Sequence, residues 1–341
     1  MSLTAAPELS RTLPAAPSDP ATRPLRVAVL GGGRSCEHEV SLASAASVAA
    51  GLLDAGHEVL ALTIGTDGSW TCDGSPVPPE AAVAAMRGCD VVFPALHGPH
   101  GEDGTAAAWA QLAGVPCVGS GVGAGAVAMD KWVTKLLAQA VGVLVAPGVL
   151  LHRKDAATLQ HGDVRLPAVV KPVAAGSSRG VHLVRDAAEL AAALADAFTY
   201  DDRVLVEDVV VGREIDVAVL RLPDGTWRVS PALEIADERF FDYETKYGGD
   251  ARFVVPAPMD AVQLAALEAA ALAVARALGC DGVARVDFFL TDDGPVLNEV
   301  NTMPGMTAHS QVPRMFAAAG TDYPALLDLL VRRALAAVVV A

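Results

Sequence analysis

The chain has 341 residues, 52% of them apolar, which excludes general disorder and allows two or three domains sharing a sizeable core. A formal net charge of −15 argues against nucleic acid or an anionic membrane surface as the main partner. The Ala- and Val-rich runs nowhere reach the roughly 18 uncharged apolar residues of a membrane span, so none is predicted.

Cys36, Cys72, Cys89, Cys117 and Cys280 are odd in number, scattered and without a Cys-x-x-Cys pair. That suits a reducing cytoplasm and provides no disulfide or metal framework. Five lysines stand against twenty arginines, so each Lys is informative in a chain that otherwise uses Arg. Residues 1–23 are rich in Ala, Pro and Ser and carry no apolar h-region, which reads as a floppy tail rather than a signal peptide.

"LRVAVLGGG" predicts a buried strand entering a glycine turn, and "VSLASAASVAAGLLDAG" a helix closed by Gly56. The turn suits phosphate at a helix N-terminus, but Cys36 stands where the third glycine of a dinucleotide fingerprint belongs. Glu37 and Glu39 fall at the helix N-terminus, where capping alone accounts for both. "HEVLALTIG" and "CDVVFPALHG" are further buried strands, so residues 24–130 predict a βαβ-type, mostly parallel sheet. In "ALHGPHGEDGT", His97, His100, Glu102 and Asp103 cluster as either a zinc site or a ligand loop at a sheet edge. The glycines and the lack of H-E-x-x-H spacing favour the loop.

"MDKWVTKLLAQAVG" is an amphipathic helix opening a second unit. In "VVKPVAAGSSRG", Lys171 ends a buried strand and Pro172 stops it. Gly176 to Gly180 then supply a run of N–H groups suited to a lid over phosphates, the plain alternative being a solvent hairpin. No Gly-Lys-[Ser/Thr] occurs, so there is no Walker A loop. A helix over "AAELAAALADAFTYDD" and two strands around Gly212 follow. Beyond them come the polar loop "ADERFFDYETKYGGDARF", the helix "AVQLAALEAAALAVARALG", a hairpin and a C-terminal helix.

The hairpin "VDFFLTDDGPVLNEVN" carries the strongest signal. With Asp292 to Gly294 as the loop, Asp287 pairs with Glu299 and Arg285 with Asn301, all on one face. Two carboxylates directly opposite each other repel by roughly 4 kcal/mol at ~4 Å and an effective dielectric of 20. Either this is a solvated edge hairpin or a cation sits between them. With the glycine-rich loop and isolated lysines, Asp287, Glu299 and Asn301 describe a nucleotide–Mg²⁺ site, because hard oxygen donors suit Mg²⁺ bridging phosphates.

The ordered motifs "GGRSCEHEVSL", "LHGPHGEDGT", "MDK", "VVKPVAAGSSRGV", "FDYETKY", "ARVDFF" and "LNEVNTMPGMTAHS" resemble those of the ATP-grasp enzymes, specifically the D-alanine–D-alanine ligases. The resemblance runs from about Leu25 to the C-terminal helix. It implies an α/β fold, α+β overall: an ATP-grasp fold behind an N-terminal parallel-sheet (preATP-grasp) domain. Its divisions are a tail (1–23), an N-terminal domain with the first D-alanine subsite (24–130), a central subdomain with the lid (131–207), and a C-terminal subdomain with the Mg²⁺ site and a mobile loop (208–341).

The implied activity is ATP-dependent joining of two D-alanines through an acyl phosphate, for peptidoglycan precursor synthesis, in a cytoplasmic homodimer without nucleic-acid or membrane partners. The alternatives are a ligase of this family using D-serine, D-lactate or a specialised amino acid as acceptor, or a silent nucleotide-binding module. By resemblance, Asp287, Glu299 and Asn301 hold two Mg²⁺ ions, with Mn²⁺ as a substitute. Lys131, Lys171 and Lys246 contact phosphates, and Ser177 and Ser178 close over the γ-phosphate. Glu207 and Glu214 hold adenine and ribose, with Val210 on the purine face. Glu37 binds the first substrate's ammonium and His97 lines that subsite. Arg285 and the Gly305 amide stabilise the oxyanion, and Ser310 holds the second substrate's carboxylate. Tyr247 completes a triad with Glu37 and Ser177.

Three positions depart from the family pattern. Arg179 in the lid is either an extra phosphate contact or a surface charge. Asp208 replaces a basic residue beside the adenine pocket. Gln311 stands where an apolar residue would face the second substrate's side chain, so its amide is expected to favour some D-serine use, and Gln311→Leu to reduce it. The lid at 174–180 and the loop 236–251 are expected to become ordered when ATP binds.

Overall fold

A computed structural model describes residues 23–154, 164–236 and 252–339. The expected tail therefore lies outside the described residues up to residue 22. Arg23, at its end, is fixed by an ion pair from Nη2 to Asp90 Oδ1 at 2.6 Å.

The first sheet is built from β1 (Arg26–Gly32), α1 (His38–Asp54), β2 (Glu58–Ile64), β3 (Trp70–Cys72), β4 (Ser75–Val77), α2 (Pro79–Met86) and β5 (Val91–Pro94), with strand order β4-β3-β2-β1-β5. β1 pairs in parallel with both β2 and β5, as the continuous apolar runs predict. β3 and β4 add an antiparallel edge that three-residue strands do not announce in sequence, so this sheet is mixed. Along β1 the side chains alternate. Val27 and Val29 join one core, while Ala28 and Leu30 join another with Trp70 and Met86. Trp70 stacks on Trp109 at 4.5 Å. Gly56, just past α1, takes φ +84°, the left-handed value that a helix exit favours for glycine.

α3 (Thr105–Ala113), α4 (Val122–Met129) and α5 (Lys131–Ala140) lead into β6 (Leu144–Val145) and β7 (Gly148–His152). Asp130 caps α5 by accepting from the Val133 N–H. β8 (Ala168–Pro172), β9 (His182–Val184), α6 (Ala187–Tyr200) and β10 (Arg203–Asp208) complete an antiparallel sheet of order β7-β10-β8-β9. Val170, Val204 and Val206 pack under Leu194 and Phe198 of α6, which leaves Lys171 and Glu207 on the other face.

The third sheet takes β11 (Arg213–Arg221), β12 (Trp227–Val229), β13 (Leu233–Ile235), β14 (Phe253–Val254), α7 (Ala261–Leu278), β15 (Val283–Thr291) and β16 (Gly294–Asn301). Its order is β14-β13-β11-β15-β16-β6, with β12 on β11. β6, from the segment expected to open the central unit, thus pairs with β16. The alternation along β11 and β15 turns Ile215, Val217, Val286 and Phe288 toward α7. Asp216, Arg285 and Asp287 fall on the opposite face.

Among the described residues one helix, α7, is long and apolar enough by length and composition alone to cross a membrane. It carries Glu268 and Arg276, and Leu267, Ala271, Val274 and Leu278 are buried against the third sheet, so it serves as a core helix. Asp260 and Gln263 form its capping box. α8 (Gln311–Ala318) and α9 (Tyr323–Val339) close the described chain, and Leu326, Leu327 and Leu330 of α9 join Leu25, Val27 and Val48 in one core.

Candidate active site

A cavity of about 810 Å³ opens between the second and third sheets, lined among others by Lys131, Lys171, Ser177, Arg179, Glu214 and Glu299. Its floor is the predicted carboxylate face. Asp287 pairs with Glu299 and Arg285 with Asn301, although the hairpin loop is one residue shorter than expected, because Thr291 pairs with Gly294. A register shift between Asp287 and Phe288 offsets this, with Asn298 as the extra residue. Asn298 was missed in the sequence, and its Oδ1 accepts from Lys171 Nζ at 3.3 Å.

The repulsion between the opposed carboxylates is met here by separate cations. Arg285 forks onto Asp287 through Nε and Nη2, each at 2.7 Å, and Asn301 Nδ2 donates to Asp287 at 3.0 Å. Lys131 Nζ lies 3.3 Å from Glu299 Oε2. Burial alone would lower the Arg285 pKa, but the charges of Asp287 and Asp216 overcome it and hold the guanidinium charged. Among the described residues no group of three or more His, Cys, Asp or Glu side chains is placed to hold a metal. The donors available are two carboxylates and the Asn301 amide oxygen, all hard oxygens that fit Mg²⁺ and not zinc.

Glu207 is 5% exposed and joins two lysines, Lys135 at 2.8 Å and Lys171 at 2.7 Å. Its carboxylate, expected to hold adenine, is thus engaged from below. Burial and the Lys171 charge push Lys135 down from 10.5 to about 8, against the pull of Glu207. Burial opposes ionisation of Glu207, but the two lysines keep its pKa below the usual value. Val210 and Glu214 line the cavity. Asp208 pairs with Arg165 at 3.3 Å.

Over the cavity, Ser177 and Ser178 adopt φ +51° and +54°, a left-handed conformation that non-glycine residues keep only where their surroundings impose it. Ser177 is buried and its hydroxyl donates to Glu37 Oε1. Glu37 is the N-cap residue of α1, yet its side chain makes no capping bond; it faces the lid instead. A Cβ at Gly176 would lie 2.4 Å from Glu37 Oε2, and one at Gly98 2.3 Å, so at both glycines the backbone closely approaches this carboxylate. Arg179 is half-buried and lines the cavity, so it is no inert surface charge. Lys246, Tyr247 and the rest of the loop expected at 236–251, apart from Ala236, lie outside the described residues.

His97 does not hold zinc. Its Nδ1 lies 2.9 Å from the Met303 carbonyl, which only accepts, so Nδ1 carries the proton and Nε2 accepts from Ser44 at 2.8 Å. Sequence reasoning passed over the partners, a serine stripe at i, i+3 and i+6 of α1. Ser41 accepts from the His97 N–H, Ser44 from the Met306 N–H and Ser47 from the Ala308 N–H. The last two, with the His97–Met303 bond, tie the loop 302–310 to α1 and to the loop carrying His97. That loop carries Gly305 and Ser310, whose Oγ accepts from the Thr307 N–H at 3.1 Å. A Cβ at Gly305 would lie 3.2 Å from that same Oγ, so the two residues adjoin.

Gln311 differs from expectation. Its Oε1 accepts from Arg285 Nη1 at 2.7 Å and its Nε2 donates to Asp216 Oδ2 at 2.8 Å. The amide reaches back onto the carboxylate face and is already engaged there. Asp216, 1% exposed and paired in register with Asp287, is a third carboxylate on this face that the sequence reading did not single out.

The chain matches the D-ala D-ala ligase C-terminus family over residues 137–332 and the D-ala D-ala ligase N-terminus family over 26–86 and 73–120. It is 43% identical to the D-alanine–D-alanine ligase of Mycolicibacterium gilvum over 357 aligned residues, covering 92% of this chain and 97% of that one. Among solved structures, the VanG D-Ala:D-Ser ligase of Enterococcus faecalis superposes with a TM-score of 0.81 at 34% identity, covering 92% of this chain and all of that one. The Bacillus anthracis D-alanine–D-alanine ligase complexed with ATP gives 0.76 at 27% identity, covering 91% and 97%. With the ATP-grasp fold these ligases share, and with both family halves in order, the chain belongs to the D-alanine–D-alanine ligase family.

Proposed function

We propose that this chain joins two D-alanine molecules at the expense of ATP, through an acyl phosphate, using Mg²⁺. One observation carries the reading: a single cavity is lined by the lid, Lys131, Lys171 and the Asp287–Glu299 face, and Glu37 meets the lid from the first sheet. Asp287, Glu299 and Asn301 would hold Mg²⁺, which supplies charge neutralisation on the phosphates. Lys131 and Glu299 hold each other in the structure, and would contact phosphate and metal respectively.

The first D-alanine's ammonium is assigned to Glu37, and its carboxylate attacks the γ-phosphorus as ADP leaves. The amine of the second D-alanine, its carboxylate on Ser310, then attacks the acyl carbonyl. Arg285 and the Gly305 N–H stabilise the oxyanion, and inorganic phosphate departs. Most of this catalysis is positioning and charge neutralisation. Lys246 and Tyr247 keep the phosphate and triad roles that the resemblance gives them. A cytoplasmic homodimer is part of the proposal, and five free thiols suit the reducing compartment.

ADP release across D-alanine, D-serine and D-lactate at pH 7.5 tests the reading. D-Alanine is expected to be strongly preferred over D-lactate as acceptor. A preference for D-lactate, or no ADP with D-alanine, overturns it.

A further inference from the structure

We infer that Gln311 is a positioning residue for Arg285, acting as a relay from Asp216, and that it does not read the acceptor's side chain. The inference rests on the proposed role of Arg285 at the oxyanion. Gln311 is the first residue of α8, and its side chain turns back onto β11 and β15. Between a guanidinium that only donates and a carboxylate that only accepts, an amide has one orientation: oxygen toward Arg285, NH₂ toward Asp216.

The relay has a definite job. Arg285 lies between two buried carboxylates. It forks onto Asp287 at 2.7 Å, while its Nε is 3.6 Å from Asp216 Oδ2. Without Gln311, Asp216 would compete with Asp287 for the same guanidinium. With it, Asp216 Oδ2 accepts from the amide and Nη1 is pinned by Oε1, so the plane of the guanidinium is set from both ends. An apolar side chain at position 311 offers neither bond. The amide is thereby turned onto the carboxylate face, its oxygen on Arg285 and one of its two Nε2 hydrogens on Asp216, rather than held out to a substrate hydroxyl.

The test is steady-state kinetics on purified full-length variants that retain the wild-type circular dichroism spectrum. Gln311→Leu is expected to lower kcat by about tenfold or more, the worth of a hydrogen bond to a charged group. The KM for the second D-alanine should stay within about twofold, and the ratio of D-serine to D-alanine efficiencies should be unchanged. Gln311→Glu sets a carboxylate against Asp216 and should be as damaging. Adding Asp216→Asn moves the charge across the same hydrogen bond and should restore most of kcat. A fall in the serine-to-alanine ratio, a loss confined to KM, or a double variant no better than Gln311→Glu would overturn the relay. Wild-type enzyme that makes no D-alanyl-D-alanine would instead overturn the proposed function, which keeps the two failures distinct.

Discussion

Glu299→Gln is expected to fold as the wild type does and to lose at least about a hundredfold in Mg²⁺-dependent turnover, roughly 2.7 kcal/mol in the barrier. The amide keeps the shape of the carboxylate and removes its charge. Folding survives because Glu299 is half-buried and its partner Lys131 also donates to the Ala175 carbonyl at 2.9 Å, so the lysine keeps a partner. Turnover falls because Glu299 sits opposite Asp287, where a divalent cation would bind them both. The check is turnover against Mg²⁺ concentration, with a melting curve on the same sample. Near-normal turnover at saturating Mg²⁺ would remove Glu299 from the metal site.

The second large effect is on stability. Glu207→Gln leaves Lys135 and Lys171 facing each other without their shared carboxylate, and breaking a buried ion pair this way costs about 3–5 kcal/mol. The pH dependence has a definite sign. Unfolded Lys135 holds its proton to about 10.5, whereas the folded group releases it at about 8. In that window the unfolded chain binds more protons, and the contribution of this group to stability rises with pH. Removing Glu207 drives the folded pKa lower still, so the variant sheds the proton earlier than the wild type. Its deficit should be larger near pH 6 and shrink toward about pH 8. Urea denaturation of both proteins across this range decides it. A deficit below about 1 kcal/mol at pH 6 would mean that the lysine pair is relieved some other way.

Much of this site was legible because its signals are short-range. A turn between two β-rich runs fixes a hairpin, and period two then fixes which residues share a face. The Asp287–Glu299 pairing came out correctly through two offsetting features, a shorter loop and a bulge at Asn298, neither readable from Thr291-Asp292-Asp293-Gly294. The glycine-rich loop was legible as Gly176 to Gly180 after Lys171, but positive φ falls on Ser177 and Ser178 as well as on Gly180, and the sequence offers no reason to look at the serines. α4 was missed because "VGAGAVAM" carries two glycines, and tertiary packing outweighs their poor helix propensity.

What escaped the sequence was mainly direction. Gln311 at a helix start can point toward substrate or back onto the sheet, and only the buried Asp216–Arg285 pair decides between them. Asp216 had a readable signal, since Glu214 and Asp216 alternate with Ile215 and Val217 along one strand. The serine stripe of α1 was equally visible as Ser41, Ser44 and Ser47, but polar spacing on a helix means little until the loop it holds is known.

The central claim is that the carboxylate of the first D-alanine becomes an acyl phosphate, and oxygen tracing tests it most directly. D-Alanine labelled with ¹⁸O in its carboxylate is turned over with ATP, and the inorganic phosphate is analysed by mass. The account predicts one ¹⁸O per phosphate released, carried over by the carboxylate oxygen that bonded phosphorus. Unlabelled phosphate, or label appearing in AMP, would contradict it.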